Sequence, residues 1–131
     1  MLFKDKYKIK VMTEDEIAKQ LNNNYKVINQ AIRRCDIKVI AHFGNVVSLS
    51  IHCDNVSPIV GYNNTKNLGC ILQVLTDLFD KNEEDGFNIN KLVDTPIRVI
   101  FDNENVFSGR CVAIGNFIQD QFVMVEDLLK L

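Results

Sequence analysis

No stretch of this sequence approaches the roughly 20 apolar residues that a helix needs to cross a bilayer. No apolar core of signal-peptide length follows the lysine-rich opening MLFKDKYKIKVM. Both absences lead us to expect a cytoplasmic protein. Excess charge is also scarce: 15 basic against 17 acidic residues leave a formal charge of −2. That balance argues against broad non-specific binding of nucleic acid, which needs a basic footprint. The four cysteines, Cys35, Cys53, Cys70 and Cys111, form no C-x-x-C pair, and in a reducing compartment they read as buried thiols. A zinc site drawn from Cys35, His42, His52 and Cys53 lacks the close ligand pairs of structural zinc, so no metal is expected. G-x-S-x-G, H-E-x-x-H, a Walker lysine and histidines at helical ligand spacing are all missing. The expectation is therefore a protein that is not an enzyme and carries no cofactor.

What is present suits one globular domain over residues 1–131, with 47% apolar and 24% charged residues. Residues 13 to 34, TEDEIAKQLNNNYKVINQAIRR, read as helix. Thr13 and Glu16 have capping-box spacing, and Ile17, Leu21, Ile28, Ala31 and Ile32 share a face. We therefore divide the domain into an N-terminal helical segment, 1–34, and an α+β core, 35–131. In the core the period changes to two. IKVIAHFG and VVSLSIHCD suit strands joined by a turn at Gly44-Asn45. From Leu68 a stripe of Ile71, Leu72, Leu75, Leu78 and Phe79 predicts a helix capped by Asn67. FNINKLVDTP reads as a connection with one short turn of helix. IRVIF is a strand, DNEN a turn, and FSGRCVAIGNFI a strand whose glycines suggest a bulge or a close backbone contact. FVMVEDLLKL closes with a short strand or helical turn. The fold class is α+β: a mainly antiparallel sheet of four to five strands, with an N-terminal helix and one central helix packed on one face.

Two surfaces have residue types suited to binding. The asparagines at 22 to 24 could break the first helix into a helix-turn-helix. Tyr25, Lys26, Asn29, Gln30, Arg33 and Arg34 would then face a DNA groove; a single amphipathic helix makes the same apolar pattern. The second surface is VGYNNTKNLGC, residues 60 to 70. There Tyr62 can stack on a ring, and Asn63, Asn64 and Lys66 can bind phosphate or ring edges beside a helix N-terminus. Arg98 and Arg110, on neighbouring predicted strands, offer forked donors to a phosphate.

The order of pieces resembles a group of small phage and prophage proteins. The matching segments are CDIKVIAHFGNVVSLSIHCD, VGYNNTKNLGCILQVLTDLF, LVDTPIRVIF and AIGNFIQDQFV, together covering about residues 35 to 125. The sequence departs from the group in having SPIVGY where a run of glycines and aromatics usually precedes the tyrosine, and in having no tryptophan. The group is similar to the phage Thoeris anti-defence sponges, which sequester a cyclic ADP-ribose signal of bacterial immunity and work as oligomers. The resemblance implies a homo-oligomer in the host cytoplasm that traps a small nucleotide without turning it over. It points to Tyr62, Asn63, Asn64, Arg98, Arg110 and Asn116 as pocket residues. Two alternatives remain open. One is a protein-binding inhibitor of a host defence complex, of the anti-CRISPR kind, using Glu83, Glu84 and Asp85 as mimics of a nucleic-acid backbone. The other is a DNA-binding regulator working through residues 13–34.

Overall fold

Thr13 and Glu16 form the reciprocal pair that their spacing predicts in the computed structural model, which describes residues 9–40, 46–54, 68–81 and 88–131. Thr13 Oγ1 accepts from the Glu16 N–H at 3.3 Å, and Glu16 Oε1 accepts from the Thr13 N–H at 3.1 Å. The pair opens helix α1 (Glu14–Gln20). The same backbone bond holds the Glu16 carboxyl below its ordinary range.

Helix α1 does not continue to residue 34. Asn22 and Asn23 adopt left-handed φ values of 54° and 61°, and the Asn23 N–H donates back to the Ala18 carbonyl at 2.9 Å. Asparagine tolerates that conformation and ends helices in this way. Residues beyond it form strand β1 (Lys26–Ile40). Here the helical expectation is corrected. Ile28, Ala31 and Ile32 fit a helical period, but Ile28, Gln30 and Ile32 also fit an alternation of two, and the β-branched Val27, Ile28 and Ile32 favour strand. The division at residue 34 consequently falls inside β1.

Five antiparallel strands make one sheet in the order β2-β1-β3-β4-β5, with β2 at Val46–Cys53, β3 at Pro96–Phe101, β4 at Cys111–Asn116 and β5 at Phe122–Met124. Strand β1 serves two partners in succession. Lys26 to Ala31 pair with Phe101 to Pro96, and Ile32 to Ile40 pair with Cys53 to Val46. A register shift between Ile32 and Arg34 marks the exchange. There the Arg33 guanidinium bridges Asp54 and Asp94, the latter at 2.6 Å. At the far edge, Met12 pairs with Phe122 and covers β5. The predicted turn at Gly44-Asn45 and the Asn67 cap lie outside the described residues.

The cross-strand rows sort the side chains onto two faces. Ile28, Val99, Ile114 and Val123 line up across the sheet. They join Ile71, Val74, Leu75 and Leu78 of α2 (Leu68–Leu78) in the larger core cluster. The neighbouring row of Val27, Ile100, Ala113 and Met124 packs with Met12 and Ile17 in a second cluster. Helices α1 and α2 thus cover opposite faces, where one covered face was expected. A short 3-10 turn at Ile89–Leu92 and helix α3 (Val125–Leu129) complete the described elements. No helix among the described residues is long and apolar enough to cross a membrane.

Candidate functional site

Of the seven residues singled out for ligand binding, Arg98, Arg110 and Asn116 fall among the described residues. Tyr62, Asn63, Asn64 and Lys66 lie outside the described residues. Arg98 sits in β3 opposite Gly115, five positions along β4 from the level of Arg110, which is roughly 16 Å at strand rise. The two arginines therefore do not converge on one phosphate. Arg110 is exposed and stands 3.7 Å from Asp102. Arg98 is already engaged. Its Nε donates to the Asn116 carbonyl at 2.9 Å and its Nη2 to the Gln119 carbonyl at 2.7 Å. Its guanidinium lies 4.8 Å from the centre of the Phe122 ring.

Asn116 is the residue of that set which the fold builds around. It is 6% exposed at the end of β4. Its Nδ2 donates to the Leu78 carbonyl at 2.8 Å, at the C-terminal end of α2, and to Asp80 Oδ2 at 3.3 Å. Its Oδ1 accepts from the N–H groups of Ile118 and Gln119, each at 2.8 Å. One side chain thus ties the β4–β5 turn to the end of α2. The turn needs a tight approach as well, because a Cβ on Gly115 would run into the Phe122 ring and the Gln121 carbonyl. This is the close contact that the glycine in AIGNF suggests.

Between the tied elements lies a depression of about 320 Å³, at the small end of the range for ligand sites. Phe79, Asp80 and Lys81 form its α2 wall, Thr95 and Pro96 its floor beside β3, and Asn116 to Gln119 the turn opposite. Phe117 is 43% exposed, while Ile118 is 87% exposed. Lys81 supplies a positive charge, Asp80 a negative one, and the carbonyl-rich end of α2 adds a partial negative charge. Thr95, itself buried, donates its hydroxyl to the Lys91 carbonyl at 3.0 Å. Such a site can hold a ring, a phosphate and one or two hydroxyl or amino groups. Lys81, Phe117 and Pro96 were missed in the sequence. The available signal was a Phe-Ile pair placed inside a polar turn, NFIQDQ, where an apolar pair has no strand or helix face to fill.

The residues assigned to a DNA-reading helix are dispersed by β1. The Tyr25 hydroxyl donates to Glu14 at 2.8 Å, which raises its pKa. Gln30 is buried, Arg33 is bound to two aspartates, and Lys26 and Asn29 lie in the ladder with β3. Successive residues of a strand point to opposite faces, so these six cannot form one groove-facing row. The helix-turn-helix expectation is overturned by this geometry.

Of the four thiols expected to be buried, Cys53 alone is, while Cys35, Cys70 and Cys111 are half-buried; Cys35, Cys53 and Cys111 pack in or against the larger core cluster. Burial pushes Cys35 up to about 11 and Cys53 and Cys111 up to about 12, so none of the three supplies a thiolate near neutrality. A raised thiol pKa has a definite sign for stability. Above the ordinary value of about 8.5, the unfolded chain releases protons that the folded chain keeps, so stability falls as pH rises toward the raised values. Each thiol contributes at most about 1.4 kcal/mol per pH unit. Urea titrations at stepped alkaline pH should show stability declining from about pH 9, with a shallower decline in Cys53→Ala. A slope unchanged by that substitution would refute the assignment.

Among the described residues no group of three histidine, cysteine, aspartate or glutamate side chains is placed to hold a metal. His52 and Asp36 approach to 3.4 Å, with Arg34 beside both, 2.8 Å from Asp36 and 3.3 Å from His52. His42 lies outside the described residues. Comparison with protein-family models, with curated proteins and with solved structures returns no match to this chain.

Proposed function

We propose that this chain is a binding protein that holds a small nucleotide-type ligand without turnover, in the depression between the end of α2 and the β4–β5 turn. The observation that carries the reading is the Asn116 clamp. A buried side chain with four hydrogen bonds fixes a turn whose next residue, the partly exposed Phe117, lines a cavity that Lys81 lines as well. Preorganised walls lower the ordering cost of binding, which is what a sequestering protein requires. Phe117 would stack on a base, Lys81 would meet a phosphate, and Asp80 would accept from an amino or ribose hydroxyl group. The resemblance of residues 35 to 125 to phage anti-defence sponges gives this reading its concrete form. In that form a phage-encoded oligomer removes a cyclic ADP-ribose signal of bacterial immunity in the host cytoplasm.

Thermal shift and native mass spectrometry against cyclic ADP-ribose isomers, cyclic dinucleotides and mononucleotides test it. A binder present at about 100 times its dissociation constant should add about 2.7 kcal/mol of stability, and heat denaturation should release it chemically unchanged. Phe117→Ala and Lys81→Ala should each remove most of the shift. If no nucleotide shifts the melting temperature while the protein co-purifies with a host defence protein, the inhibitor reading replaces this one.

A further inference from the structure

The depression at the end of α2 carries little charge. Among the described residues that line it, Lys81 is the one cation and Asp80 the one anion. They are neighbours in the chain, and the ending of the helix sets where both backbones lie. Asp80 takes a left-handed φ of 56°, and the Lys81 N–H donates back to the Thr76 carbonyl at 2.8 Å, closing the last turn. The Asp80 carboxylate is tied as well, since its Oδ2 accepts from Asn116 Nδ2 at 3.3 Å. Its negative charge is therefore held at the wall of the depression. The Lys81 ammonium is a compact charge on a flexible four-carbon stem and can adjust to a ligand.

No second cation on the described walls offsets Asp80. Arg98 stands behind the turn, where its Nε and Nη2 donate to the carbonyls of Asn116 and Gln119, and it does not line the depression. The C-terminal end of α2 adds partial negative charge on the side of Asp80. The walls thus match one negative charge and oppose a second.

We propose that this site selects phosphate diesters, as in a cyclic nucleotide, and turns away nucleotides that end in a terminal phosphate. The inference rests on the nucleotide-binding reading of the same depression. A diester phosphate carries one negative charge, which Lys81 matches. A terminal phosphate carries about 1.5 to 2 near neutral pH, and the excess meets the held carboxylate. Asp80 is then the specificity-determining residue. Its lone pairs accept from a base or ribose donor in either class of ligand, and its charge separates the classes by repulsion. At roughly 6 Å, one added charge against a surface carboxylate corresponds to about tenfold in affinity.

Calorimetric titration with 3′,5′-cyclic AMP and 5′-AMP tests the inference, because the two share base, ribose and phosphorus and differ by one ester bond. The cyclic form should bind the wild-type chain about tenfold more tightly. Asp80→Asn should cut that ratio to about twofold by strengthening 5′-AMP. Asparagine tolerates the left-handed backbone and keeps an acceptor for Asn116, so the fold is not at stake. Added salt should narrow the wild-type ratio in the same direction. Equal affinities in the wild type overturn the proposal and leave the nucleotide reading standing, as does a ratio that Asp80→Asn leaves unchanged. Binding of neither ligand, nor of the matched pair cyclic di-AMP and linear pApA, overturns both.

Discussion

Asn116→Leu should lower the stability of the chain by roughly 3 kcal/mol, enough to move its melting temperature by about 10 °C in a domain of this size. Leucine keeps the branching of asparagine and is the larger side chain, so the loss is not a cavity effect. It removes the donor that the Leu78 carbonyl accepts from and the acceptor of the Ile118 and Gln119 N–H groups. The two N–H groups lie near solvent and recover part of their hydration, whereas the buried carbonyl at the end of α2 does not, which keeps the figure below the sum of four bonds. Asn116→Asp separates the two halves of the clamp. It keeps the acceptor for the turn, loses the donor, and brings a carboxylate against the Leu78 carbonyl and Asp80. Urea unfolding should rank wild type above both variants. A loss below about 1 kcal/mol for Asn116→Leu would mean that Arg98 and the backbone bonds of the turn hold it without the side chain.

Gly115→Ala should be comparably damaging, at about 3 kcal/mol, through overpacking. Gly115 faces Phe122 across the β4–β5 pair, and an added methyl group overlaps the ring carbons of a fully buried phenylalanine. The ring has nowhere to retreat, since it closes the smaller core cluster with Met12, Ile17, Ile100 and Ala113 and carries the Arg98 guanidinium on its face. A double-mutant cycle identifies the cause. Phe122→Leu makes room, so the pair of substitutions should cost less than the sum of the two, with a coupling of about 1 kcal/mol or more. Strict additivity would show that the glycine serves backbone conformation and not the ring.

The sequence made the central helix, the strand pairing of β1 with β2 and the strands β3 and β4 legible, because each has one dominant period and clear punctuation; the last ten residues read as a strand or a helical turn, and they form both in succession. The capping box at Thr13 and Glu16 was legible for the same reason. The first strand was not. Ile28, Ala31 and Ile32 satisfy both periods, and what decides between them is a partner, Pro96 to Phe101, far away in the chain. Local pattern carries no trace of that partner. The site was legible at one residue. Asn116 was picked out by resemblance to a motif, but its role as a clamp depends on the Leu78 carbonyl, and the inference from Arg98 and Arg110 failed because neighbouring strands place residues side by side only when their register is known.

Strand β1 receives Pro96 to Phe101 along its first half, and Met12 bridges to Phe122 at the far edge of the sheet. Order of synthesis turns this geometry into a timetable. Residues 26 to 31 leave the ribosome long before the strand that completes them, so the apolar row beginning at Val27 and Ile28 waits uncovered while most of the chain is still being made. A topology dominated by such distant pairings folds slowly, and unpaired strand edges are the surfaces on which nascent chains associate. How long that apolar row waits uncovered during translation is thus set by the position of one strand in the chain.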